Sequence, residues 1–110
     1  MDLENAAADR AAVRAAYPEL FERISQILFR HDPIGINFDT NTDEYDAEAG
    51  TIIPRLRGAT TRDAVQYVVY QEFVRWFSLE EAGPPTRYAE IASDIWELRD
   101  LIPKPLPSVG

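Results

Sequence analysis

Apolar side chains recur at three- and four-residue steps along most of this chain, the spacing that places them on one face of a helix. Residues 3–16 hold seven alanines but only Leu3 and Val13 as large apolar positions, so helix propensity is high while the face to bury is thin. A loosely docked N-terminal helix is predicted there. Pro18 suits a first helical position, Glu19 and Glu22 suit the positive helix end, and Leu20, Phe21, Ile24, Ile27 and Leu28 form a core stripe ending near Arg30. The string DPIGINFDTNT from Asp32 to Thr42 is turn-forming, with a few alternating residues at 35–38 as the one hint of extension. A shorter helix capped by Thr42 follows, with Asp43 and Glu44 in its first turn and Tyr45, Ala49, Ile52, Ile53 and Leu56 inward. Pro54 predicts a kink or restart, its clash eased by Gly50, and Gly58 a terminator.

The next segment is the most apolar. Thr60 with Asp63 reads as a capping box, and nine of the thirteen residues from Val65 to Phe77 are apolar. Without Val68 these cover an arc of roughly 200°, about twice that of a one-sided helix. This helix is expected at the centre of the bundle. Gly83-Pro84-Pro85 breaks the pattern, Thr86 caps a last helix, and Tyr88, Ile91, Ala92, Ile95, Leu98 and Ile102 carry its stripe to Pro103. The expectation is an all-α fold: a compact single-domain bundle of four to five helices over 18–102, preceded by the 1–17 helix and followed by a Pro-rich, extended 103–110 tail.

At 110 residues such a chain has enough surface to bury for one core, and its 12 aromatics argue against overall disorder. Absence of cysteine excludes disulfide scaffolds, thiolate metal sites and cysteine nucleophiles. No apolar run reaches bilayer length and the N-terminus lacks a signal-peptide core, so a soluble, cytoplasmic protein is expected. The formal charge of −8, with 19 acidic against 11 basic residues, disfavours nucleic acid and anionic membranes and favours a basic protein partner.

That charge is concentrated. No Lys or Arg occurs between His31 and Pro54, where Asp32, Asp39, Asp43, Glu44, Asp46 and Glu48 supply −6 of the −8. The words His31-Asp32-Pro33-Ile34-Gly35-Ile36 and Asp43-Glu44-Tyr45-Asp46, followed by an Ile-rich helix with Leu56, resemble a pattern in small all-helical bacterial proteins of unknown function. The resemblance covers roughly residues 18–80, with His31 where that pattern usually has Trp. It implies a helical fold and a loop address, and no reaction.

Two roles compete for these words. In the structural one, Asp32 turns the chain ahead of Pro33, Gly35 takes a left-handed position, the carboxylates complement a helix dipole, and Tyr45 is a core anchor whose hydroxyl meets one of them. In the functional one, His31 and the six carboxylates meet a cation, an Arg-rich partner or a substrate. Asp39-Thr40-Asn41-Thr42-Asp43 starts like a calcium loop but puts Glu44 where Gly is needed and Gly50 where a bidentate Glu is needed. A single histidine without cysteine does not furnish a usual zinc set, and His31 with Ser25, Ser78, Ser93 or Ser108 lacks a nucleophile-elbow context. No cofactor is expected. The leading reading is a non-enzymatic acidic protein that binds a basic protein through 32–48, in the manner of an immunity protein or antitoxin. A small metal-dependent or acid/base enzyme using the same carboxylates is the alternative. Tyr67, Tyr70, Arg75 and Trp76 mark a second face, suited to the core, to a homodimer or to a partner groove; a homodimer with a structural role only is a third reading.

Overall fold

In the computed structural model the described residues are 3–35 and 43–103, with side chains described from residue 10 onward. Six α-helices and no strand occur among them: α1 (Leu3–Ala16), α2 (Pro18–His31), α3 (Asp46–Leu56), α4 (Arg62–Trp76), α5 (Leu79–Ala82) and α6 (Ala89–Trp96). Two 3₁₀ turns, Pro85–Tyr88 and Arg99–Leu101, flank α6. The all-α bundle is therefore the fold; α5 is a single turn, and the stretch expected as one last helix is divided into a 3₁₀ turn, α6 and a second 3₁₀ turn. Residues 104–110 of the tail, Asp39, Thr42 and positions 36–38 of the alternation lie outside the described residues.

α2 follows its pattern closely. Pro18 opens it, Arg30 and His31 face the negative end of the helix, and Leu20, Phe21, Ile24, Ile27 and Leu28 are buried. α3 begins later than expected, at Asp46, because Tyr45 is drawn wholly into the core and leaves Asp43–Tyr45 as a turn closed by Asp46 N donating to Asp43 O at 3.1 Å. Pro54 does not divide α3. It stands exposed in the last turn, where the loss of one backbone bond is tolerable. Gly50 has another use than easing that clash: a Cβ there would lie 3.1 Å from both Cα and Cβ of Arg10, so the missing side chain lets α1 lie closely on α3. Val13, the one large apolar residue of α1 among those whose side chains are described, is buried against the core.

α4 is capped by Thr61 rather than Thr60, its hydroxyl accepting from Ala64 N at 3.1 Å. Its buried residues are Val65, Val68, Val69, Glu72 and Phe73. This corrects two expectations, since Val68 is inside and the outer half of the apolar arc is not. The Phe73 ring lies 5.9 Å from that of Tyr45, 5.2 Å from that of Tyr88 and 5.8 Å, stacked, from that of Phe77, which joins α3, α4 and the α6 region in one aromatic centre. Tyr88, Ile91, Ala92 and Ile95 complete the core, while Leu98 and Ile102 are only half-buried because the helix ends at Trp96.

Candidate functional site

The two words DPIG and DEYD meet in space. Asp32 ends α2 in the left-handed region, at φ 50° and ψ 58°, with its N–H donating to Leu28 O at 2.8 Å. Aspartate tolerates that conformation better than most residues. Gly35 is also left-handed, at φ 78°, and its N–H returns to Asp32 O at 3.1 Å. Across the intervening segment, the buried Tyr45 hydroxyl donates to Asp32 Oδ1 at 2.7 Å and accepts from Ile34 N at 3.3 Å. One phenol thus binds the two arms at their base.

Distant parts of the chain brace the same corner. His31 Nε2 lies 2.6 Å from Asp94 Oδ2 on α6; the carboxylate only accepts, so Nε2 carries the hydrogen. Arg30 adds a second contact to that oxygen at 3.2 Å. The His31 hydrogen bond is the main reason the Asp94 carboxyl titrates below the usual aspartate range, with Arg30 assisting and partial burial opposing. Arg87 Nη1 donates to Pro33 O at 3.1 Å, Glu81 O at 2.9 Å and Ala82 O at 3.0 Å, tying the DPIG corner to the end of α5. Gly83, at φ 75°, makes room for it: a Cβ there would stand 2.5 Å from Arg87 Cζ. The buried Tyr88 hydroxyl also donates to Ala82 O, at 2.6 Å, and burial raises that phenol to about 12. A cavity of about 780 Å³ lies against this corner, lined by His31, Asp32, Pro33, Ile34, Gly35, Glu81 and Arg87.

The acidic segment is not one solvent-facing patch. Asp43 and Glu44 are exposed, but Asp46 is 6% exposed and Glu48 5%. Asp46 Oδ2 lies 3.3 Å from Arg14 Nη2, an ion pair that ties the start of α3 to α1. Glu48 has no such partner: its Oε2 makes no hydrogen bond among the described residues. Its carboxyl is raised from 4.5 to about 7, by burial above all and also by Glu44 and Asp46, while its own backbone N–H and Arg10 act the other way. Of the seven residues expected at this site, then, His31, Asp32, Asp46 and Glu48 are built into the fold, Asp43 and Glu44 face solvent, and Asp39 is outside the described residues. Among the described residues no group of three or more His, Cys, Asp or Glu side chains is placed to hold a metal ion.

At the second face, Tyr67 is 59% exposed, Arg75 is exposed, and Tyr70 and Trp76 are half-buried. Trp76 turns away from the others and donates to Thr51 Oγ1 at 2.9 Å. Glu72 is a residue that pattern reading passed over. Fully buried on α4, its carboxylate receives Arg55 Nη1 at 2.9 Å and Arg75 Nη1 at 3.1 Å, the double pairing that a charge out of water requires. Arg75, three residues on in the helix, was the only local signal; Arg55 comes from α3. The same absence of local signal applies to Asp94 and Arg87, which only the fold brings to the DPIG corner.

No family model, curated protein or solved structure matches the chain. No helix among the described residues is long and apolar enough to cross a membrane.

Proposed function

We propose that this chain is a non-enzymatic binding protein that meets a basic protein partner through residues 32–48, the stretch that carries its DPIG and DEYD words. The observation that carries the reading lies among the described residues: Tyr45 bonds Asp32 and Ile34, joining the DPIG and DEYD words, while Asp43 and Glu44 stand exposed beside the junction. Function tends to sit on loops that a rigid scaffold presents, and a pre-organised surface loses less entropy on association. Of the other four residues, His31, Asp32 and Asp46 are tied to their neighbours by hydrogen bonds or ion pairs, and Glu48 is buried. Charge at Asp43 and Glu44 steers encounter with a basic surface, so its effect falls on the association rate. Neutralisation of a basic toxin is one form that suits the size, helicity and charge, by analogy alone.

The test is capture from the native cell with the wild-type chain as bait and an Asp43→Lys, Glu44→Lys variant as control, followed by association kinetics against salt. A captured basic protein that associates about tenfold more slowly with the variant at low salt, and equally fast at high salt, is the expected result. Equal association rates at low salt would refute it. Melting with and without magnesium, calcium and manganese addresses the enzymatic alternative, since an ion present at about 100 times its dissociation constant adds about 2.7 kcal/mol.

A further inference from the structure

Helix α4 has an apolar pattern on two sides, of which one is buried and the other only partly covered. Opposite its buried stripe of Val65, Val69, Glu72 and Phe73 runs a second stripe, Tyr67, Tyr70, Gln71 and Val74, at the i, i+3, i+4, i+7 spacing by which helices pack on one another. Tyr67 is more exposed than any other aromatic side chain described, and the stripe lines a groove of about 480 Å³ with Arg55 and Arg75 on its wall. Both arginines are held in place by the buried Glu72, so part of the entropy lost on contact is already spent. The face is also polarised. Asp63, its side chain 91% exposed and only loosely paired with Arg62 at 3.3 Å, lies at the N-terminal end, and Arg75 lies at the C-terminal end.

We infer that this face pairs with the same face of a second copy of the chain, the two α4 helices running antiparallel and crossing at the axial level of Val69, whose own side chain is in the core. The reason is self-complementarity. Asp63 and Arg75 lie at equal separations on either side of Val69, as do Tyr67 and Gln71. In a two-fold contact each pairing of i with j is repeated as j with i. An antiparallel crossing therefore brings the acidic end of each face to the basic end of the other, twice, and sets the Tyr67 phenol of each copy near the Gln71 amide of the other. A parallel crossing stacks acid on acid and base on base. The 15-residue helix is about 22 Å long, short of the surface that a permanent dimer needs, so the association is reversible and depends on concentration. Each copy also carries −8, and that mutual repulsion is screened at physiological salt.

Sedimentation equilibrium at physiological salt, from micromolar to millimolar chain, tests this alongside a Tyr67→Glu variant whose helical circular dichroism and melting are compared with wild type. Self-association by wild type, weakened at least about tenfold in the variant with the fold retained, is expected. A wild-type chain that stays monomeric throughout, or a dimer that the variant leaves intact, overturns the proposal. Because the chain has no cysteine, single-cysteine variants report the direction of pairing. Gln71→Cys, near the crossing point, forms a disulfide-linked dimer under mild oxidation. Asp63→Cys does not, since its two copies stand about 18 Å apart along an antiparallel pair, beyond disulfide reach. A strong Asp63→Cys cross-link would overturn the antiparallel arrangement. The face shares no residue with the acidic segment, so this result and the partner capture stand separately.

Discussion

Glu48 is the residue whose replacement reports most directly on the interior of this fold. It is 5% exposed on α3, its Oε2 has no hydrogen-bond partner among the described residues, and burial lifts its carboxyl from 4.5 to about 7. A carboxyl raised on folding favours the folded state fully below its unfolded value, and that contribution is lost as pH rises through the folded one. With 1.36 kcal/mol for each unit, the interval from 4.5 to about 7 corresponds to about 3 kcal/mol lost between mildly acid and neutral pH. Glu48→Gln keeps the shape and removes the ionisation. The variant is thus expected to match wild type near pH 4 and to exceed it by about 3 kcal/mol above pH 8, roughly 10 °C in melting temperature for a chain of this size. Urea unfolding of both proteins at closely spaced pH values measures the difference, in which the titration of every other acid cancels. A gap between variant and wild type that stays constant across pH would show that Glu48 ionises in the fold as it does in the unfolded chain, and would refute the reasoning.

Three further outcomes follow from the braces around the DPIG corner. Tyr45→Phe deletes the hydrogen bond to Asp32 Oδ1 and the acceptor for Ile34 N, and is expected to cost about 1.5–3 kcal/mol in urea unfolding; a neutral substitution would mean the two arms hold together without the phenol. Gly83→Ala forces a side chain into a left-handed position and against Arg87 Cζ, so a loss of about 2 kcal/mol is expected, and an unchanged urea midpoint would show that the Arg87 clamp contributes little. Asp94→Asn removes a carboxyl held low by His31 and Arg30, so its stabilisation is present at neutral pH and lost as pH falls below the usual aspartate range. The pair is partly exposed, and the expected loss is below about 1 kcal/mol at pH 7, shrinking as pH falls below the usual aspartate range; a loss that grew toward acid would contradict that sign.

Helix periodicity made the fold class legible, because the burial stripes of α2, α3 and α6 are local patterns that any packing of these helices must respect. The stripe of Leu20, Phe21, Ile24 and Leu28 is read from the chain and found in the core without change. The boundaries were less legible, since they depend on competition with tertiary burial: Tyr45 enters the core, so α3 starts at Asp46, and Thr61 rather than Thr60 caps α4. That the DEYD tyrosine would be a core anchor bonded to a carboxylate was foreseeable from residue types, but the bond runs to Asp32 on the other word rather than to a carboxylate of the helix start.

What the sequence by itself determined is an acidic, cysteine-free, all-helical bundle with its negative charge gathered between two short words. Only the tertiary structure decided what that charge does. A run of carboxylates carries no record of which members point inward; packing sends Asp46 to Arg14 and Glu48 into the core, and leaves Asp43 and Glu44 in water. The same holds for α4, where periodicity counts apolar positions but does not count neighbours. Among the described residues α3, α5, α6 and the Pro85–Tyr88 turn pack on it, and Tyr67 stays exposed.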